Sequence, residues 1–154
     1  MTLIRQIVAG CKLGISGTIA VADGTTGVDI EFTTEGWDDG GFHDLVTNKE
    51  RITIPANLGG RYQFSARAAF DADILGDRYA SITRRNSSDV VQGQISNLIS
   101  APSLGLNSVE HSFPLSDVFK AEPGDYFILT LTQTSTSTLD ARMGTTFTCQ
   151  RISS

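Results

Sequence analysis

Residues 59–70 read Gly-Gly-Arg-Tyr-Gln-Phe-Ser-Ala-Arg-Ala-Ala-Phe, and after the glycine pair the chain alternates with a period of two. Tyr62, Phe64, Ala66, Ala68 and Phe70 fall on one face, while Arg61, Gln63, Ser65 and Arg67 fall on the other. Only a β-strand puts every second side chain on the same side, so this stretch predicts a half-buried strand whose start Gly59-Gly60 punctuates. The question is how far the same rhythm extends.

Upstream, Val28, Ile30 and Phe32 alternate with Asp29 and Glu31, and Ile52 and Ile54 alternate until Pro55 stops the run. Downstream, strands are expected at Tyr79–Arg85, Val109–Leu115, Tyr126–Gln133 and Thr145–Ile152. Turns are expected at Arg85-Asn86-Ser87 and Glu122-Pro123-Gly124-Asp125. The polar segment 86–107 reads as a strand between long loops. Helical periodicity is nearly absent. Short strands separated by Gly, Pro, Asn, Asp and Ser predict an all-β protein, an antiparallel jelly-roll β-sandwich.

Residues 1–27 break the pattern. Leu3, Ile4, Ile7, Val8, Leu13 and Ile15 make the segment apolar, while Gly10, Gly14 and Gly17 disfavour a helix. It is expected to be an extended arm ahead of a domain spanning 28–154. Such an arm must cover some surface. Either it adds a strand to its own domain or it docks on a partner.

The chain has 154 residues, room for one domain. Its 17 acidic and 12 basic side chains give a net charge of −5, which argues against nucleic acid as a partner because phosphates require a concentrated cationic surface. No apolar run approaches the roughly 20 residues of a membrane-spanning helix. Arg5 and Lys12 interrupt what would be the apolar core of a secretion signal, so the expectation is an unexported protein. Cys11 and Cys149 are expected to stay thiols in a reducing compartment. If joined, they would close a loop across almost the whole chain.

Catalytic groupings are sparse. His43 and His111 are the only histidines, and neither sits at zinc-ligand spacing or in a nucleophile motif. Asp38, Asp39 and Asp44 crowd the Gly40-Gly41 pair and suggest oxygen ligands for calcium, but their spacing matches no calcium loop and aspartates also build turns. No enzymatic activity, cofactor or metal is expected.

An ordered series of residues now points to a family. Phe32-Thr33-Thr34-Glu35, Trp37-Asp38, Gly41-Phe42-His43-Asp44, Val46-Thr47-Asn48, Arg51-Ile52-Thr53-Ile54-Pro55 and Gly60-Arg61-Tyr62 are followed by Arg84-Arg85-Asn86, Gly124-Asp125-Tyr126, Thr132-Gln133-Thr134-Ser135 and Phe147. Over roughly Val28–Ile152 this resembles the jelly-roll modules of the complement globular head and of tumour necrosis factor-like proteins, particularly versions from phages and bacteria. The resemblance implies a homotrimer in which one sheet of each subunit faces a threefold axis. Mapped onto this chain, that sheet presents Gln63, Ser65, Arg67, Thr146, Thr148 and Gln150. It also makes the aspartate-rich segment a structural crossover.

Composition alone suggests a different contact patch. Phe127, Leu129 and Leu131 would fill the core, leaving Tyr126 and Ile128 to project outward and need cover. The expected function is that of a virion structural protein, a trimeric capsid decoration or cement protein gripping the major capsid protein through its arm and base. The alternative is a receptor-binding knob using segment 86–107, although that segment contains no aromatic residue to stack on a sugar.

Overall fold

The structure is a computed structural model and describes residues 9–100 and 111–153. Twelve strands account for its regular structure: β1 (Gly10–Gly14), β2 (Ile19–Val21), β3 (Gly24–Asp29), β4 (Thr34–Asp39), β5 (Arg51–Thr53), β6 (Gly60–Phe70), β7 (Asp77–Arg85), β8 (Val91–Ser100), β9 (His111–Ala121), β10 (Tyr126–Gln133), β11 (Leu139–Ala141) and β12 (Thr146–Ser153). All but β3 form two sheets, as an antiparallel jelly roll should. In the larger, β9, β6, β12, β1 and β4 lie side by side, and β11 and β2 extend it beyond the end of β12. The smaller runs β5-β10-β7-β8. Beside it, the Ile30 amide donates to the Leu129 carbonyl at 2.9 Å, so the chain leaving β3 lies against β10.

Alternation in β6 does what the sequence requires. Tyr62, Phe64, Ala68 and Phe70 are buried, whereas Gln63 and Arg67 are exposed. Across the sandwich Phe64 stacks on Phe127 of β10, with ring centroids 3.8 Å apart and planes tilted by 24°. Phe147 and Phe119 lie against the same ring, each with its centroid at 5.9 Å. This aromatic cluster joins both sheets through β6, β9, β10 and β12.

The N-terminal boundary expected at Gly27 is corrected. Strand β1 lies inside the larger sheet, paired with β12 on one side and β4 on the other. Leu13 and Ile15, expected to grip a capsid, are 1% and 6% exposed in the chain's own core. Burial satisfies the apolar surface of both, and pairing on two sides satisfies the backbone of Leu13, so neither is available to a partner. Leu3, Ile4, Ile7 and Val8 lie outside the described residues.

The strand expected at Val28–Phe32 is displaced, since β3 ends at Asp29 and Ile30 and Phe32 follow it into the core. Strand β9 continues past the expected Leu115 to Ala121 and tolerates Pro114 because, among the described residues, its ladder pairing is with β6 alone. Strand β4 appears where a crossover segment was expected.

The turn before β7 is held by two unusual residues. Arg78, fully buried, donates to the carbonyls of Leu75 at 2.7 Å and Asp73 at 3.2 Å, tying down the loop 71–77. Within it Gly76 has φ +67°, and a Cβ there would stand 1.8 Å from the Thr134 carbonyl oxygen. Gly76→Ala should therefore lower unfolding free energy by about 2 kcal/mol or more, combining left-handed strain with a backbone clash. Denaturant melts check this, and an unchanged midpoint would show that the turn can relax.

Candidate functional site

The outward face of the larger sheet is built from the polar half of each alternating strand. Register places Gln63 opposite Gln150, Ser65 opposite Thr148 and Arg67 opposite Thr146. The six residues implied as a trimer face are thus three directly opposed pairs on adjacent strands. Strand β1 extends these rows with Gly10, Lys12 and Gly14, and β9 extends them with Val118, Ser116 and Pro114. A bulge between Lys12 and Leu13 offsets β4, leaving Trp37 opposite Lys12.

Most of this face is neutral and short-chained. The Gln63 side-chain amide donates to Ser116 Oγ at 3.3 Å, and Arg67 donates to Ser112 Oγ at 3.1 Å. These bonds hold Gln63 and Arg67 down along the sheet. Apolar groups lie among them: Trp37 is 37% exposed, Val118 49% and Ile152 50%. Sequence reasoning missed Lys12, Trp37, Ser112, Ser116 and Val118, because their membership depends on which strands neighbour β6 and β12. Their own alternation marks which side they face, but not which sheet.

The second expected patch is a correction. Tyr126 and Ile128 do face away from Phe127 and Leu129, yet they are only 8% and 7% exposed. The chain covers them itself. The Arg51 guanidinium sits 4.5 Å from the Tyr126 ring centroid, and the Tyr126 hydroxyl donates to Asp89, which also accepts from Arg85 at 2.9 Å. These interactions make an internal brace of stacked cation, phenol and carboxylate. It leaves no open apolar patch there.

Aspartates in the Gly36–Asp44 stretch serve local backbone donors. Asp38 accepts from the amides of Gly41, Phe42 and His43, each at 3.0 Å, shaping the turn that delivers buried Phe42 to the core. Asp44 accepts from Val46 at 2.7 Å and from the Thr47 hydroxyl at 2.6 Å. The Thr47 hydroxyl, followed by the Val46 and Thr47 amides, holds the Asp44 carboxyl below its ordinary range. Asp39 ends β4 opposite Gly10. Among the described residues, no group of three or more His, Cys, Asp or Glu is arranged to hold a metal ion.

His43 is a wedge in the same turn. Its side chain is fully buried, with Nδ1 2.9 Å from Glu35 Oε1 and Nε2 3.1 Å from the Lys49 carbonyl. Both ring nitrogens are engaged by β4 and the loop before β5. Neither faces a serine or cysteine nucleophile.

A separate feature lies on the outer face of the smaller sheet. Tyr79 and Ser81 of β7, Gln94 and Ser96 of β8, and Thr130 and Thr132 of β10 line a depression of about 300 Å³. These side chains are neutral hydroxyl, phenol and amide groups around one aromatic ring. The Tyr79 hydroxyl is fixed by donating to Asp77 at 3.2 Å. The sequence offered no aromatic within 86–107, and β7 supplies it from outside that segment.

All three tyrosines carry hydroxyls that resist ionisation. Burial raises Tyr62 to about 12 despite the opposing charge of Arg151, and burial followed by a neighbouring aspartate raises Tyr79 and Tyr126. A raised native pKa stabilises the fold fully below the ordinary value of 10 and loses that contribution as pH rises through the native value. Tyrosinate absorbance of the folded chain at pH 10 should therefore fall below that of the unfolded chain at the same pH, and stability should decline between pH 10 and about 12. Half-ionisation of the folded chain at pH 10 would contradict these environments.

No protein-family model matches the sequence. No curated protein matches it either. Solved structures match its fold. The globular domain of zebrafish complement 1qA superposes with a TM-score of 0.63 at 13% identity, covering 94% of this chain and 97% of that one. Murine APRIL gives a TM-score of 0.66 at 12% identity over 94% and 99% of the two chains. The Eiger TNF of S. frugiperda gives 0.67 at 13% identity over 95% and 93%. Sheet order, buried alternation and these superpositions agree: the chain has the jelly-roll fold shared by complement globular heads and tumour necrosis factor-like proteins.

Proposed function

We propose that the chain is a homotrimeric structural protein of a bacteriophage particle, a capsid decoration protein with no catalytic role. The observation that supports it is the open face of β4-β1-β12-β6-β9, where Gln63, Ser65, Arg67, Thr146, Thr148 and Gln150 form one continuous, mostly neutral surface beside exposed Trp37 and Val118. Interfaces of this mixed character can close symmetrically without an apolar core as large as a folded domain's. Attachment to the major capsid protein is assigned to segment 1–8, with Leu3, Ile4, Ile7 and Val8, because residues 10–14 are committed to the sheet. Three such segments on one trimer would bind with avidity if all reach their sites together.

Removing residues 1–8 should reduce co-sedimentation with undecorated capsids by about 100-fold or more in apparent affinity while leaving strand content unchanged. Unchanged binding would reject that segment as the attachment element. The depression beside Tyr79 favours a second reading, a receptor-binding knob for a neutral host glycan, since hydroxyls and an aromatic ring suit a sugar. Saturable glycan binding lost in Tyr79→Ala would favour that reading over decoration.

A further inference from the structure

Cys11 and Cys149 stand directly opposite each other in the register of β1 and β12. Both are fully buried free cysteines, and their Sγ atoms are 3.7 Å apart. Directly opposed residues on antiparallel neighbours have Cα atoms about 4.5–5.5 Å apart, within the roughly 4.4–6.8 Å that a disulfide spans. The two sulfurs therefore need a side-chain adjustment to bond, not a rearrangement of the strands.

We propose that Cys11 and Cys149 are a modification site, a reversible intrachain disulfide that latches the first described strand to the last. The oxidant is a low-molecular-weight disulfide such as oxidised glutathione. A thiolate of one cysteine attacks a glutathione sulfur, forming a mixed disulfide and releasing one reduced glutathione. The second cysteine, as thiolate, attacks the protein-side sulfur of that bond and expels the other. Two cysteine protons are released to solvent and taken up by the two departing glutathione thiolates, and the two sulfurs are oxidised as the glutathione disulfide is reduced.

Burial decides when this can happen. The hydrogen bond with Cys149 and then desolvation hold the Cys11 thiol far above its ordinary range, so the attacking thiolate scarcely forms inside the closed sheet. Exchange belongs to molecules in which β1 has opened or has not yet docked. Once made, the bond closes a loop across almost the whole chain and ties β1 to the middle of the larger sheet. Tension on segment 1–8 would then pass directly to β12. This inference is independent of what that segment binds.

The full-length chain is equilibrated with oxidised and reduced glutathione in two ways: during refolding from denaturant, and without prior unfolding just below its melting temperature. Expected in either arm are loss of both titratable thiols, a monomer mass lower by two hydrogens, a peptide joining Cys11 to Cys149, and a melting temperature raised by about 10 °C and restored by reductant. Cys149→Ala and Cys11→Ser should show no linked peptide and no reductant-sensitive shift. Two free thiols in folded chain from both arms, glutathione held on each cysteine, or bonds only between chains would overturn the proposal.

Discussion

Phe64→Ala should lower the unfolding free energy by about 3–5 kcal/mol, the largest loss expected from any single truncation in this core. Phe64 is fully buried, stacks on Phe127 at 3.8 Å, and also packs edge-on or tilted against Phe119, Phe147 and Tyr62. Those partners come from both sheets, so no single strand can move inward to fill the space. The cavity term therefore adds to the lost transfer energy. For a chain of this size the loss corresponds to a melting temperature roughly 10 °C lower, measured at fixed protein concentration so that assembly does not enter the comparison. Phe64→Leu keeps most of the volume and should cost less than half as much. Equal melting of Phe64→Ala and the parent would mean that the two sheets are not joined through this ring.

The second large effect concerns assembly. Ser65→Glu combined with Thr148→Glu places two carboxylates at directly opposed positions near the middle of the open face. In the proposed trimer three copies of that pair converge, and like charges brought together in an interface cost several kcal/mol. The dissociation constant should rise by at least about 100-fold, leaving single chains at micromolar concentration. Neither residue is fully buried, so the strand signal in circular dichroism should persist. A double variant that remained trimeric would move the interface off this face. A control, Asp29→Ala, alters the end of β3 beside the other sheet, where Thr130 donates to Asp29 at 2.6 Å, and should leave assembly unchanged.

Particular residues show what is legible in the sequence. Strand β6 was plain because Tyr62, Phe64, Ala66, Ala68 and Phe70 alternate through its full length and the glycine pair marks its start. The six-residue face followed from the family resemblance, and the structure then paired those residues one against one. Strand β1 falls in the segment read as an extended arm, which either adds a strand to its own domain or docks on a partner, and Gly10–Gly14 does the first. Gly10 has another reason to be small: a Cβ there would stand 2.2 Å from the Cys149 carbonyl oxygen. The period-two set Cys11, Leu13 and Ile15 was the signal that could have placed this strand.

Other features were invisible for physical reasons. Strand β4 lies at the sheet's edge and most of its residues are exposed, so burial imposed no alternation on Thr34–Asp39. Tyr126 and Ile128 seemed to need a partner because Arg51, Arg85 and Asp89 reach that surface only after folding. Asp38 had the composition of a metal loop, but its partners are amides three to five residues onward. Local spacing revealed which side chains face inward. It could not reveal what the outward ones meet.

The central claim is that three copies of this sandwich close around the face containing Ser65 and Thr148. Light scattering coupled to size exclusion tests it most directly, on the purified chain at micromolar concentration. The account predicts a single species at three times the 16.5 kDa chain mass, collapsing to one chain mass in the double glutamate variant. A parent protein that elutes at one chain mass across that concentration range would contradict it.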